Sequence, residues 1–256
     1  MIAALPMYDR PEMTGATDRY WALIRDGLRA RGLDAPEGLR RGDAELMPHW
    51  LSTDLLLSQT CGFPFRARLQ GRVQLVGTPD FGVEGCPPGY YRSVLIARAD
   101  DPRRDLVEFD GVALAYNDGL SQSGWAAPQN HAAARGLRIP AGVQTGSHAE
   151  SLRAVAEGRA DLASLDAVSF RLLQRADPLA AAVKVVEMTD PTPGLPYICA
   201  PGLDADAVFA AVAEAIPRLS GEDRAVLGLR AILRIPAEAY LSVPTPPSPA
   251  GEALEN

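Results

Sequence analysis

Twice within about thirty-five residues an apolar, strand-like run breaks into small polar residues and then opens a helix-like one. The first break is Asn117-Asp118-Gly119-Leu120-Ser121-Gln122-Ser123-Gly124-Trp125, which follows Val112–Tyr116. The second is Thr145-Gly146-Ser147-His148-Ala149-Glu150, which runs into Leu152, Val155 and Gly158 and is followed by the strand-like Ala160–Leu165. Strands that alternate with helices in this way need crossover connections, so the pattern restricts the chain to α/β architectures with mixed, mainly parallel sheets. It also marks a site. The first turn of a helix carries unpaired N–H groups and the positive end of the helix dipole, and so attracts anions.

The remaining elements fit the same grammar. Ile2–Met7 reads as a first strand. Asp18–Arg31 reads as an amphipathic helix with Trp21, Ile24 and Leu28 on one face, ended by Gly32. Strands are expected at Asp54–Ser58, around Arg72–Leu75, at Tyr91–Arg98, at Val183–Val186 and at Tyr197–Ala200, and helices at Asp204–Leu219 and Asp223–Leu233. From Val243 onward the chain is rich in proline and poor in apolar residues, and residues 243–256 are expected to be disordered.

Composition removes several function classes. The 256 residues carry a net charge of −7, which argues against nucleic acid or an anionic membrane as partner. An anionic ligand would have to be captured by local donors against that overall charge. The three cysteines, Cys61, Cys86 and Cys199, lack metal-ligand spacing, and no cofactor or metal is expected. Cys61 and Cys86 would be the pair if a disulfide formed, since both sit in Gly/Pro-rich loops. The N-terminus shows no signal peptide, so the chain as it stands reads as cytoplasmic, or as periplasmic if a leader was removed.

The candidate binding residues cluster at the breaks. Ser121 and Ser123 offer hydroxyls, Gln122 an amide, and Gly124 close access to the backbone. The competing reading is that Ser121 or Ser123 simply caps the helix. Pro128 falls in the second turn, so an irregular first turn is expected. Ser147 and Glu150 form a capping-box pattern that starts a helix at His148. That helix end disfavours imidazolium, so a bound anion would be needed to favour the charge; if imidazolium is the bound form, affinity should fall at high pH. A Ser121–His148–Asp166 triad lacks the Gly-x-Ser-x-Gly elbow of serine hydrolases, because Gly119-Leu120-Ser121-Gln122-Ser123 fails at its last position. Tyr91 at a strand entrance, and Gln59 and Thr60 at a strand end that leads through Cys61 into Gly62, are further candidates, since open α/β sheets bind ligands at strand carboxyl ends.

Taken in order, Gly89-Tyr90-Tyr91-Arg92-Ser93-Val94-Leu95-Ile96, Ser121-Gln122-Ser123-Gly124, and Gly146-Ser147-His148 followed by Val155-Ala156-Glu157-Gly158-Arg159-Ala160-Asp161 resemble the phosphate/phosphite/phosphonate-binding components of ABC transporters. The resemblance implies a two-lobed periplasmic-binding-protein fold of the second type with an interlobe ligand cleft. It implies lobes of about 1–95 plus 190–240 and about 96–189, and a non-enzymatic, monomeric solute-binding protein with ABC-transporter permease subunits as partners. The family's loop is usually Ser-Thr-Ser-Gly; here Gln122 replaces the threonine. Ser121, Gln122, Ser123, Gly124, His148, Tyr91, Gln59, Thr60 and Tyr8 are then the expected ligand-binding set. Ala167-Val168-Ser169-Phe170 and Gly194-Leu195-Pro196 lack the carboxylates that hold an amine in members that bind aminoalkylphosphonates. Two alternatives share the scaffold. One is an enzyme, either a serine hydrolase or a pyrimidine synthase, although the latter's cysteine-rich iron motif is missing here. The other is a cytosolic metabolite sensor.

Overall fold

The computed structural model describes residues 1–42 and 45–250. It divides the chain into two units: Met1–Glu84 with Pro193–Tyr240, and Gly85–Thr192 with the segment from Leu241 onward.

The first unit holds a five-stranded sheet in the order Ile2–Ala4, Leu55–Gln59, Tyr197–Cys199, Gln74–Asp80, Ala231–Leu233. Ile2–Ala4 and Leu55–Gln59 run parallel, while Tyr197–Cys199 is antiparallel to both of its neighbours. The long helix Thr14–Ala30 buries Trp21, Ile24 and Leu28 as its apolar spacing requires, and Gly32 follows it with φ +78°. It packs against Ala205–Arg218 at Gly27, where a Cβ would lie only 3.3 Å from the Ala211 Cβ. Beneath the strands Trp50, Leu55, Phe65, Leu69, Ile198 and Tyr240 form an apolar cluster.

The second unit holds the sheet Ala141–Gln144, Leu114–Tyr116, Leu162–Asp166, Ser93–Arg98, Val183–Met188. The first three strands run parallel. Ser93–Arg98 is antiparallel to both of its neighbours, and its Val94 and Ile96 bury with Leu152, Val155, Leu165, Phe170 and Leu173. The sheets are therefore mixed, with more antiparallel pairing than the strand–helix alternation suggests. Ser93–Arg98 and Tyr197–Cys199 enter their sheets without a crossover helix behind them, so nothing forces them parallel.

Four expectations need correction. Residues 85–95, with Tyr91, belong to the second unit, because Ser93–Arg98 is fully paired within that unit's sheet. Asp223–Leu233 is not one helix. Gly221–Leu227 is helical, Gly228 ends it at φ +66°, and Ala231–Leu233 pairs with Gln74–Asp80 as an edge strand. Ala167–Ala176, not anticipated as a helix, is one, capped by Asp166. The tail is ordered to Ala250: Trp125 Nε1 donates to Pro247 O at 2.9 Å and Asn130 Nδ2 to Pro244 O at 2.8 Å. A proline segment without a core of its own can still dock through its carbonyls, which proline keeps while losing its N–H. Residues 251–256 lie outside the described residues. Cys61, Cys86 and Cys199 are free thiols.

Replacing Gly228 by Ala should cost about 1–2 kcal/mol in chemical denaturation, the penalty of a Cβ in the left-handed region. An unchanged midpoint would show that this helix stop can be repositioned freely.

Candidate functional site

The site is built where two neighbouring parallel strands of the second unit end. Leu114–Tyr116 leads into the serine loop, and Ala141–Gln144 leads into the histidine loop. The helix after Leu114–Tyr116 returns to the strand on one side. The helix after Ala141–Gln144 crosses to Leu162–Asp166 on the other. Such a reversal of direction opens a crevice at the carboxyl ends of the strands.

The irregular turn expected from Pro128 takes a definite form. Gln122–Ala126 is a π-turn, with Ala126 N–H donating to Ser121 O at 3.0 Å, followed by the α-helix Ala127–Ala133. Ser121 is the N-cap; its Oγ accepts from Gly124 N–H at 3.0 Å. The capping reading therefore holds for Ser121 and not for Ser123. Ser123 lies one residue into the turn, buried, with its Oγ 3.0 Å from His148 Nε2. Its carbonyl accepts from the Ser164 hydroxyl at 2.6 Å. Gly124 is required where it stands, because a Cβ there would overlap Asn117 Oδ1. The amide of Ser123, second in the turn, has no earlier turn to bond back to.

The second loop is held as firmly. Thr145 N–H donates to Tyr116 O at 2.8 Å, and the Thr145 hydroxyl bonds Ser151 Oγ at 2.6 Å. Ser147 caps the helix His148–Ala156 by accepting from Glu150 N–H at 3.1 Å. Only half of the expected capping box forms. The Glu150 carboxylate turns outward to Arg153 and Arg159, at 2.7 and 2.6 Å, where two charged partners outcompete one backbone N–H.

His148 keeps some exposure as a residue, but its ring Nδ1 is enclosed and has no hydrogen-bond partner. Burial pushes its pKa down to about 4, against a smaller upward effect of the Ser164 backbone. The ring is therefore neutral near pH 7 in the ligand-free protein, the direction a helix start favours. Between Ser123 Oγ and His148 Nε2 either atom can be the donor, according to which ring nitrogen carries the proton. With the proton on Nε2 the ring donates to Ser123 Oγ, and the Ser123 O–H can then donate to a ligand.

The other candidates fall in two places. Tyr91 is buried in the second unit, in the short strand Tyr90–Tyr91. Gln59, Thr60 and Tyr8 lie in the first unit. Gln59 Nε2 donates to Leu195 O at 3.2 Å, and Thr60 N–H to Pro196 O at 3.0 Å, while the enclosed Thr60 Oγ1 makes no hydrogen bond. Tyr8 meets Phe81 edge-on at 4.8 Å between ring centroids. Tyr8 and Gln59 line a cavity of about 30 Å³ together with Tyr20, Phe81 and Tyr197. Burial pushes the Tyr20 and Tyr197 phenols above their ordinary range, so both remain neutral. The imagined triad is not built: Ser121 serves as the cap, and Asp166 accepts from Ser169 N–H at 2.7 Å. Sequence reasoning missed Ser164. A lone serine inside the otherwise apolar Ala160–Leu165 run was the available signal.

The model of the family described as "ABC transporter, phosphonate, periplasmic substrate-binding protein" matches residues 55–234, a span that contains both loops. The chain belongs to this family. No curated protein matches it in sequence. Among solved structures it is similar to PhnD1 from Prochlorococcus marinus in complex with methylphosphonate, at 14% identity and TM-score 0.71, covering 93% of this chain and 94% of that one. It is similar to XAC2383 from Xanthomonas citri bound to ATP, at 16% identity and TM-score 0.67, covering 95% and 97%. It is also similar to a binding-protein component of an ABC phosphonate transporter from Pseudomonas aeruginosa, at 16% identity and TM-score 0.65, covering 91% and 80%. At these identities the likeness is one of fold, that of the two-lobed periplasmic binding proteins. Among the described residues of this phosphonate-family binding protein, no helix is long and apolar enough to cross a membrane.

Because His148 is harder to protonate folded than unfolded, the folded state takes up fewer protons between pH 6.5 and about 4. Stability should therefore fall as pH is lowered through that window, and His148→Gln should flatten this part of the profile. An NMR titration that put the His148 pKa near 6.5 would contradict the enclosed, neutral ring.

Proposed function

We propose that this solute-binding protein captures a small phosphorus oxyanion of the phosphonate, phosphite or phosphate type, for delivery to ABC-transporter permease subunits. The observation that carries the reading is the meeting of Ser123 Oγ and His148 Nε2 at 3.0 Å, where two helix openings converge. The Ser123 hydroxyl and amide, with Gln122 beside them, face the proposed site of a tetrahedral anion. Each charge-assisted hydrogen bond contributes about 1.5–3 kcal/mol. Three of them total about 4.5–9 kcal/mol before the costs of desolvation and ordering are subtracted. Ser121, Gly124 and Asn117 shape the loop without touching the anion. Tyr91, Tyr8, Gln59 and Thr60 belong to the same proposed ligand-binding set.

The side chains gathered around Ser123 are hydroxyl, amide and imidazole, which suits an oxyanion with an uncharged substituent better than an aminated one. They suit catalysis poorly. A serine nucleophile needs a base whose pKa lies near working pH and a third group to orient it. His148 has a pKa of about 4, and its Nδ1 has no partner. The chain is accordingly read as a periplasmic, monomeric binding protein without enzymatic activity.

Calorimetric titration with methylphosphonate, phosphite and phosphate tests this directly. Ser123→Ala should weaken the preferred ligand about tenfold or more with little change in melting temperature, because Ser121 is the helix cap. Gly124→Ala should abolish binding by driving the loop off Asn117. Unchanged affinity in both variants would mean that the anion sits elsewhere.

A further inference from the structure

A π-turn is a rare way to begin a helix, and this one is bracketed from outside by the proline-rich C-terminal segment. The Pro249 ring lies against Gly119, two residues before the Ser121 cap; a Cβ at Gly119 would meet it at 3.1 Å. The Pro247 carbonyl accepts from the indole N–H of Trp125, inside the turn, at 2.9 Å. The Pro244 carbonyl accepts from Asn130 in the following helix at 2.8 Å. The contacts thus fall before, within and after Gln122–Ala126. Pro246 between them is buried, so the segment is packed and not merely draped.

Trp125 carries this bracing toward both loops. Its indole is buried and stacks at a tilt on Tyr116, with ring centroids 5.1 Å apart. The Tyr116 carbonyl in turn receives Thr145 N–H at 2.8 Å, and the Thr145 hydroxyl donates to Ser147 O at 3.1 Å, next to His148. One continuous path of contacts therefore runs from the Pro247 carbonyl through Trp125 and Tyr116 to the residue beside His148.

We propose that residues 243–250 form a strap that holds the serine loop in its binding-competent π-turn, with Trp125 as the positioning residue through which it acts. The proposal rests on the anion-binding reading above and deepens it. Proline suits the task. Its fixed φ keeps the segment extended at low entropic cost, and its carbonyls remain available as acceptors. A turn that is competent only part of the time weakens apparent affinity by that fraction. Loss of the strap therefore acts on binding without removing any group that touches the ligand.

The test compares the full chain with a chain ending at Ala250, a chain ending at Ser242, and Trp125→Phe, which keeps the ring and loses the N–H. Each is read by methylphosphonate titration, by melting temperature, by amide hydrogen exchange at residues 122–126 and by the NMR pKa of His148. The chain ending at Ala250 should match the full chain. The chain ending at Ser242 should bind about tenfold more weakly, and Trp125→Phe should lose several-fold. In both, exchange at 122–126 should quicken and the His148 pKa should rise from about 4 as water reaches its ring, a change that a general loss of stability does not produce. Native affinity and native exchange at the turn in the folded Ser242-ended chain would overturn the strap. If that chain does not fold, an unaltered Trp125→Phe would overturn it. If the full chain binds no phosphorus oxyanion, the functional reading fails by itself, while exchange and the His148 pKa still decide whether the segment braces the turn.

Discussion

The missing N–H of Pro128 is the constraint from which the site follows. In a regular helix the nitrogen at this position would bond back into the first turn. Without it the chain relaxes into the π-turn Gln122–Ala126, in which Ala127 N–H reaches Gln122 O and the Ser123 carbonyl is left without a main-chain donor. A buried carbonyl must find a partner, and the Ser164 hydroxyl of the neighbouring strand supplies it at 2.6 Å. That bond pins Ser123 to the sheet and fixes the side on which its hydroxyl emerges, opposite His148. The rest of the site is support. Ser121 closes the turn, Gly124 makes room for Asn117, and Thr145 and Ser147 fix the start of the histidine helix. At its far end the serine helix is tied down by the buried His131, which bonds Glu187 at 2.8 Å and Arg135 at 3.0 Å.

This arrangement handles an anion in a chain that is itself acidic. With a net charge of −7 the protein as a whole repels its proposed ligand, so recognition has to be local. The donors are neutral and fixed by packing: a hydroxyl oriented by an imidazole, and an amide at the start of a turn. Neutral donors in an enclosed place avoid the desolvation cost that a buried arginine or imidazolium would carry, and they lose less of their strength to salt. The lowered pKa of His148 keeps the ring neutral beside Ser123.

Much of this was legible in the sequence, for reasons that differ by element. The serine loop, the histidine helix start and the irregular turn could be read because capping serines, glycines and a misplaced proline act locally. The helix Thr14–Ala30 could be read because its buried face repeats at helical spacing. What was hidden depends on partners distant in sequence. Whether Ser93–Arg98 joins the first or second sheet is decided by Leu162–Asp166 and Val183–Met188, some seventy to ninety residues on. Ala231–Leu233 looked helical because its edge pairing with Gln74–Asp80 is non-local. The proline tail looked unstructured because its order comes from Trp125 and Asn130 rather than from its own composition. At His148 a helix start that disfavours imidazolium could be read, but the enclosure of its ring, which lowers its pKa, could not.

An oxyanion seated at the junction of the two loops would touch the serine turn first. Backbone amide NMR of the full chain, recorded as methylphosphonate is added, tests it most directly. The predicted result is a saturable set of shifts centred on Gln122, Ser123 and Gly124, with smaller ones at His148 and Ala149. Saturable shifts centred on another part of the chain, with residues 121–124 and 148 unmoved, would contradict it.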